Sequence, residues 1–376
     1  MISKEKNPLP IYYQLKQILR SRIIEGDFQE KLPTEHQLKK MYGVSLWTIK
    51  RSLEDLVDEG LIRKFRGRGS FVQKNNIKLA DKAATDKVTA TNNLGFIFYR
   101  SQREFKLDEY YADLFDKIEK LSKDQGYHIF MSSIFNYDGT YQNMNKIIED
   151  KKVDGFFLIG LEDNFTEQFD KMKIPFVLVD SRSSKYDCVM ADNIGGAIKA
   201  TEYLITVGHK KIAYIGALKG DSTSYADANE EWPNSLERRM GYQQVMEQRG
   251  LAANILVRNV FDFNTTDRVT DEFIDEKITA VVCSGDYLAA LVKRRATEKG
   301  LTLPRDLSIV GFGNSTLSYL NNITTLNIDR SEIALESVNR LLAKIKQNGS
   351  NGTSSKQVSI PVELIVRGSV VELVKA

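Results

Sequence analysis

The stretch Leu32–Val72, LPTEHQLKKMYGVSLWTIKRSLEDLVDEGLIRKFRGRGSFV, decides how the front of the chain folds. Thr34 followed three residues later by Gln37 forms a capping-box pair, and Gly43 can end a helix, so the spacing predicts a short helix from Glu35 to Tyr42. Ser45 can cap the next helix, LWTIKRSLEDLVDE, which Gly60 ends. In that segment Ile49, Leu53, Leu56 and Val57 share one face, while Trp47, Lys50, Arg51 and Glu54 fall opposite. Two helices across a short Gly-containing turn make a helix-turn-helix. LIRKF and SFVQ then read as two strands joined by RGRG. A basic, glycine-rich loop can also cradle a nucleotide phosphate, but this one sits between strands and after a helix-turn-helix, so it reads as the tip of a wing. Upstream, Ile11, Leu15, Ile18, Leu19, Ile23 and Ile24 recur at helical spacing, with Pro10 as a start and Gly26 as a stop.

Charge agrees with a nucleic-acid-facing front end. Residues 1–74 carry a net +6 and the remainder a net −3, although the whole chain of 376 residues sums to only +3. A basic segment on a mildly acidic body is the electrostatic footprint of a polyanion-binding module. At 42% hydrophobic and 27% charged, the composition is that of a globular protein with two or three domains. No apolar run has the length of a membrane span, and MISKEKNPLP has no apolar signal core. The two cysteines, Cys188 and Cys283, are far apart, which fits a reducing cytoplasm and gives no zinc spacing. With three scattered histidines, neither a metal site nor a Ser/His/Asp triad is expected, and no cofactor is implied.

Lys74–Asn93 is polar and without periodicity, so residues 75–93 read as a tether. Asn348–Lys356, NGSNGTSSK, reads as a surface loop. Residues 94–376 alternate apolar strands (LGFIFYR, YHIFMSSI, VDGFFLIG, PFVLVD, KIAYIGA, ITAVVCSG and LSIVGFG) with helical segments such as Asp108–Gln125. That alternation predicts an α/β body with parallel sheets covered on both faces. There are too many strands for one small sheet, so two Rossmann-like lobes with a ligand cleft at the strand C-termini are expected. No GxxxxGK[ST] or GxGxxG follows a strand, and the glycines of VGFG (Gly311, Gly313) are too few for a dinucleotide fingerprint.

The order LPTE, YGVS, a helix ending in EG, then GRGSFV resembles the DNA-binding domain of the GntR family of bacterial transcription factors over residues 8–73. The resemblance implies a third helix that reads the major groove and a wing that touches the minor groove or the backbone. The implied DNA-binding residues are Thr34 and His36 at the second helix; Ser45, Leu46, Trp47, Thr48, Lys50 and Arg51 at the third; and Arg66, Gly67 and Arg68 in the wing. Two positions depart from the family: His36 and Leu46 stand where members often have arginine. Leu46 offers an apolar contact, as to a thymine methyl, in place of a cation.

The body is similar to the effector domain of the LacI/GalR repressors, of periplasmic-binding-protein type I fold. The resemblance rests on ADNIGGAIKATEYLITVGHKKIAYIG, RRMGYQQVMEQRGL, SGDYLAALVKRRATEKGLTLPRDLSIVGFGN, ITTLNID and VELIVRGS, in family order. It implies a ligand pocket that includes Arg238, Asp192, Phe263, Tyr110 and Tyr111, with Arg100 added by topology at the end of the first strand. Arg238 suits a polyhydroxylated or carboxylate ligand through its donor fork. Phe263 serves either to stack on a ring or as core. Asp286 is either a ligand acceptor or a helix cap. Gly285 and Asn314 replace an asparagine and an aspartate common in the family, so the pocket differs from a standard sugar site. Leu218–Asn234 is either a lid or a variable loop.

Together these features imply a ligand-responsive repressor: a homodimer on a palindromic double-stranded operator, released by a sugar or sugar-derived effector, without membrane attachment. Two other classes compete. An α/β enzyme with a DNA-binding appendage needs a phosphate loop or paired catalytic carboxylates, and a transport component needs an export signal; neither feature stands out.

Overall fold

The computed structural model describes residues 11–24, 26–28, 30–58, 61–65, 68–73, 91–98, 109–133, 153–161, 166, 169–170, 174–218, 231–347 and 356–373. The chain divides into two compact units, Met1–Thr89 and Ala90–Ala376.

The first unit is the head. Its helices are α1 (Ile11–Ile24), α2 (Glu35–Tyr42) and α3 (Leu46–Asp58), followed by β1 (Ile62–Phe65) and β2 (Gly69–Val72). Leu15, Leu19, Ile23, Leu38, Ile49, Leu53 and Leu56 are all buried in one small core. The Thr34–Gln37 capping box forms as the sequence requires, and Gly43 closes α2 at φ 68°, where a side chain would be strained. Ser45 caps α3, its Oγ accepting the Thr48 N–H at 3.1 Å. The wing strands pair antiparallel, with Ile62 opposite Val72 and Phe65 opposite Gly69. Lys31 adds a single bridge to Phe71 on the far side of β2.

The body holds two six-stranded sheets. The first lobe contains β3 (Asn93–Phe98), β4 (His128–Ser133), β5 (Gly155–Ile159), β6 (Phe176–Val179), β7 (Cys188–Ala191) and β13 (Gln357–Ile360), in the order β13-β7-β6-β5-β3-β4. The second contains β8 (Ile212–Ala217), β9 (Leu256–Val260), β10 (Ala280–Cys283), β11 (Ser308–Phe312), β12 (Thr324–Ile328) and β14 (Val362–Ile365), in the order β14-β12-β11-β10-β8-β9. β5, β6, β7, β10 and β11 are buried along their whole length. That is why they read as unbroken apolar runs rather than alternating ones.

The body helices are α4 (Glu109–Asp124), α5 (Asn193–Thr206), α6 (Pro233–Gln248), α7 (Phe263–Asp275), α8 (Asp286–Glu298), α9 (Thr316–Leu320) and α10 (Arg330–Lys346). The chain passes between lobes three times: from β7 into α5, from β12 into α10, which packs on β5, β6 and β7, and from β13 into β14. Strand order reverses between β3 and β5 and between β8 and β10. Ligand crevices of doubly wound sheets open at such switch points, outside the strand C-termini.

Three sequence expectations need correction. The sheets are not wholly parallel, because β14 runs antiparallel to β12. β7, β9, β12, β13 and β14 are additional strands: β9 (LVRNV), β12 (TTLNI), β13 (QVSI) and β14 (VELI) carry polar residues within four or five positions, and β7 follows β6 with no helix between them, so none reads as a separate apolar run. Thr91 and Asn92, placed with the tether on sequence, are tied to the body through the Asp154 carboxylate, which accepts the Thr91 N–H and Oγ1–H at 2.8 Å and the Asn92 N–H at 2.8 Å.

Candidate functional sites

In the head, α3 turns Ile49 and Leu53 inward, so Trp47, Lys50, Arg51 and Glu54 face outward as the sequence requires. Trp47 is 69% exposed, unusual for so large an apolar group. Its ring stands edge-on to Tyr12 of α1, with centroids 6.3 Å apart. Arg51 lies over the same Tyr12 ring at 5.8 Å and within 3.6 Å of Asp55 one turn on. Thr34, His36, Ser45 and Lys50 are exposed and Leu46 is half-buried.

Thr48 is a correction. It is 8% exposed, and its hydroxyl sits 2.8 Å from the Ser45 hydroxyl, so it braces the cap rather than facing a partner. The 3.6-residue turn puts it next to Ile49 on the inner side of α3. Arg68 is exposed beside the wing turn, while Arg66 and Gly67 lie outside the described residues. Phe65 is 42% exposed and meets Phe71 edge-on at 5.5 Å, with Arg63 over its ring at 5.3 Å. An open groove beside the start of α2 is lined by Lys31, Lys40, Thr34, Gln37 and Met41, among others. The head therefore presents Trp47, Lys50 and Arg51 on α3, Arg68 at the wing and Lys31 and Lys40 beside α2 as exposed groups.

In the body, Arg238 is the centre of the candidate site. Gly241, one turn on, lets α6 lie against α5: a Cβ there would come within 2.4 Å of the Ile194 carbonyl. That close approach brings Arg238 to the start of α5, where its Nε donates to Asn193 Oδ1 at 2.9 Å. Its Nη1 donates to the Ser284 carbonyl just past β10, and the guanidinium lies 3.8 Å from the centre of the Phe312 ring. Nη2 has no hydrogen-bond partner among the described residues. Arg238 is 7% exposed, and burial pushes its pKa below the usual guanidinium value. The nearby Tyr214, Asp180, Tyr110 and Tyr111 oppose that shift. Asp180, Tyr110 and Tyr111 belong to the first lobe, so groups of both lobes act electrostatically on Arg238.

On the first lobe, Tyr111 donates to Asp180 Oδ2 at 2.6 Å and packs edge-on against Phe98 and Tyr110, each 4.9 Å away. Asp180 follows β6 with φ 54°, a left-handed conformation that a non-glycine residue adopts at some cost. Arg330 donates from Nε to Asp113 at 2.5 Å and from Nη1 to the Gly313 carbonyl of the second lobe at 3.0 Å. Two further links join the lobes: Glu109 accepts the Thr316 hydroxyl at 2.8 Å, and Arg182 donates to Glu237 at 2.5 Å. Glu237 also accepts from Asn193 at 2.8 Å, so one carboxylate ties the lobe contact to the residue that holds Arg238.

The remaining expected pocket residues divide. Asp192 caps α5, accepting the Gly195 N–H at 2.9 Å. Asp286 does not cap its own helix, whose N-cap is Gly285 without a side-chain bond. Its carboxylate instead accepts the Thr325 hydroxyl at 2.6 Å and the Ser315 N–H at 2.7 Å, tying α8 to β12 and α9. Phe263 is not core: it is 55% exposed and meets the half-exposed Tyr287 edge-on at 5.9 Å. Asn314, with φ 51°, is held by Arg367 at 2.6 Å and Asn327 at 3.0 Å. Arg100, and residues 219–230 of the expected lid, lie outside the described residues; Leu218 and Glu231 on either side pair with each other.

Sequence reasoning missed Asn193, Phe312, Asp180 and Arg330. Asp180 had a legible signal, as an acidic residue directly after an apolar strand. The others did not, since each meets Arg238 or Asp113 only by tertiary packing, across 45 residues for Asn193 and 217 for Arg330. Among the described residues no group of histidine, cysteine and carboxylate side chains could hold a metal, and no helix is long and apolar enough to cross a membrane.

Comparison with known proteins agrees with both halves. Residues 11–72 match the model of bacterial regulatory proteins of the gntR family, and residues 201–370 match the periplasmic binding protein-like domain. Over 98% of its length the chain is 26% identical to the arabinose metabolism transcriptional repressor of Geobacillus stearothermophilus, covering 100% of that protein. It is 27% identical to the transcriptional repressor PurR of Glaesserella parasuis over 76% of its length and 83% of that protein. A LacI family regulator from Enterococcus faecium with bound ribose superposes with a TM-score of 0.61 at 20% identity, over 75% of this chain and 99% of that one. A CelR–cellobiose complex superposes at 0.62 with 19% identity, over 90% and 100%.

Proposed function

We propose that this chain, a ligand-responsive transcriptional repressor with a GntR-type head and a periplasmic-binding-protein-like body, binds a two-fold symmetric operator as a homodimer and releases it when a sugar or sugar derivative fills the cleft. It regulates and does not catalyse, as its relatives do. The observation that carries the effector half is Arg238: a buried guanidinium held by neutral acceptors and one ring, with Nη2 left over, and within electrostatic range of Asp180 and Tyr111 of the first lobe. A polyol or anionic oxygen would satisfy that donor. Ribose and cellobiose in the fold neighbours, and arabinose metabolism in the long relative, support a sugar.

Ligand closure would act through the lobe contacts Glu109–Thr316, Arg182–Glu237 and Arg330–Gly313. By linkage, whatever factor the ligand takes from DNA affinity, DNA takes from ligand affinity. A homodimer is supported by Tyr319 and Leu320 on α9, each 72% exposed, with Leu317 beside them. The place of action is the cytoplasm, where operator DNA lies.

The test uses the full chain. Thermal-shift screening against pentoses, hexoses, uronates and sugar phosphates should find a ligand that raises Tm by mass action. That ligand should dissociate the protein from a palindromic site upstream of its own operon in a mobility-shift assay. Absence of sequence-specific binding at moderate salt would sink the proposal. Arg68→Ala should lower affinity for all sequences alike and reduce the slope of log K against log salt by about 1 if it meets a phosphate.

A further inference from the structure

The DNA-facing end of α3 has an unusual surface. Its first two residues, Leu46 and Trp47, are apolar, and no cation comes before Lys50, a full turn later. Leu46 keeps part of its surface in solvent, and Trp47 is 69% exposed. The polar groups beside them are already spent within the head, since the Ser45 and Thr48 hydroxyls bond each other and the Thr48 N–H is capped. Trp47 is also braced, edge-on against Tyr12, whose ring in turn lies under Arg51. The leading turn of this helix therefore carries a fixed apolar surface, with charge following behind it.

In the major groove, the base edge that pairs with such a surface is the C5-methyl of thymine; guanine O6 and N7, and adenine N6 and N7, call for hydrogen-bonding side chains. We propose that Leu46 and Trp47 read thymine methyl groups, so that each operator half-site carries consecutive thymines under the N-terminal turn of α3, with Lys50 and Arg51 on flanking phosphates or bases. This rests on the head being a DNA-binding module and adds which base it selects.

The experiment starts from the full chain and a randomised duplex library, with bound DNA selected and amplified. The enriched half-site should contain adjacent thymines. Replacing those thymines with deoxyuridine removes only the methyl groups and leaves pairing intact. Affinity should fall by about fourfold for each methyl lost, the worth of one buried methyl-sized group. That measurement uses the unaltered protein, so folding is not in question. Trp47→Ala and Leu46→Ala should each weaken the thymine-over-deoxyuridine preference only at the position its side chain reads, and Leu46→Arg should shift selection toward guanine at the same position. Enriched sites in which deoxyuridine binds as well as thymine, or which place guanine under Leu46, would overturn the inference while leaving the repressor reading intact. No enriched sequence at all would overturn both.

Discussion

Trp47 on the head is 69% exposed, whereas Arg238 in the body is 7% exposed and already bonded to Asn193 and Ser284. The head's candidate contacts are exposed side chains of α3, of the neighbouring start of α2 and of the wing. The candidate site around Arg238 draws its groups from α4, α5, α6, β11 and α10 and from the turns after β6 and β10. The comparison teaches that one site is a property of a local segment and the other a property of an assembly. A change in the head should alter affinity without touching its neighbours' geometry, while a change near Arg238 should propagate through every group bonded to it.

The largest expected effect comes from the head core. Leu53 is 1% exposed, and Leu53→Ala should cost roughly 2–5 kcal/mol. Calorimetry should show the head melting earlier while ligand binding by the body persists. If the ligand-binding transition moved with it, the two units would not be independent folding units. Arg238→Gln comes next. It removes a charge-assisted bond and the Nη2 donor, so ligand affinity should fall by about 1.5–3 kcal/mol, with DNA affinity in the absence of ligand kept. Titration calorimetry and mobility shift check the two halves, and a variant that still binds ligand normally would remove Arg238 from the site.

Thr34→Ala breaks the capping box at the start of α2 and should cost about 1 kcal/mol of head stability, read from the head's denaturation midpoint. The smallest effect separates the units by pH. His209 is buried, with its ring nitrogens against the Thr279 hydroxyl at 2.9 Å and the Val371 carbonyl at 3.2 Å, and burial lowers its pKa. The folded pKa thus lies below the unfolded value of about 6.5, and the unfolded chain takes up the proton first. Body stability should therefore be full above about pH 6.5 and decline as pH falls below it. In His209→Gln that slope should flatten, while the head, which holds no buried histidine among its described residues, should not respond over the same range.

The difference between the units also explains what could be read in advance. The head was legible almost residue by residue, because caps, a glycine stop and a helical stripe act within a few positions of one another. Its one error was Thr48, where an exposed-looking polar residue turned inward to brace Ser45. In the body, the strands with unbroken apolar sequence, such as β5, β6 and β10, were legible, and those interrupted by polar residues, such as β9 and β12, were not. Asp286 was legible as a helix-start residue, yet its bonds go to Thr325 and Ser315, 39 and 29 residues away. Phe263 as a lone aromatic pointed equally to ring stacking and to core, and only packing showed it to be exposed.

By itself the sequence determined the winged head, the α/β body of two lobes and the chemistry of Arg238, because periodicity, capping and side-chain type are local properties. The tertiary structure decided which groups surround that arginine. Asn193 reaches it because α5 and α6 pack closely at Gly241, and Asp180 and Tyr111 act on it electrostatically because three crossings of the chain join the two lobes. Those neighbours are separated along the chain by tens of residues, and only the closing of the fold brings them within reach of one another.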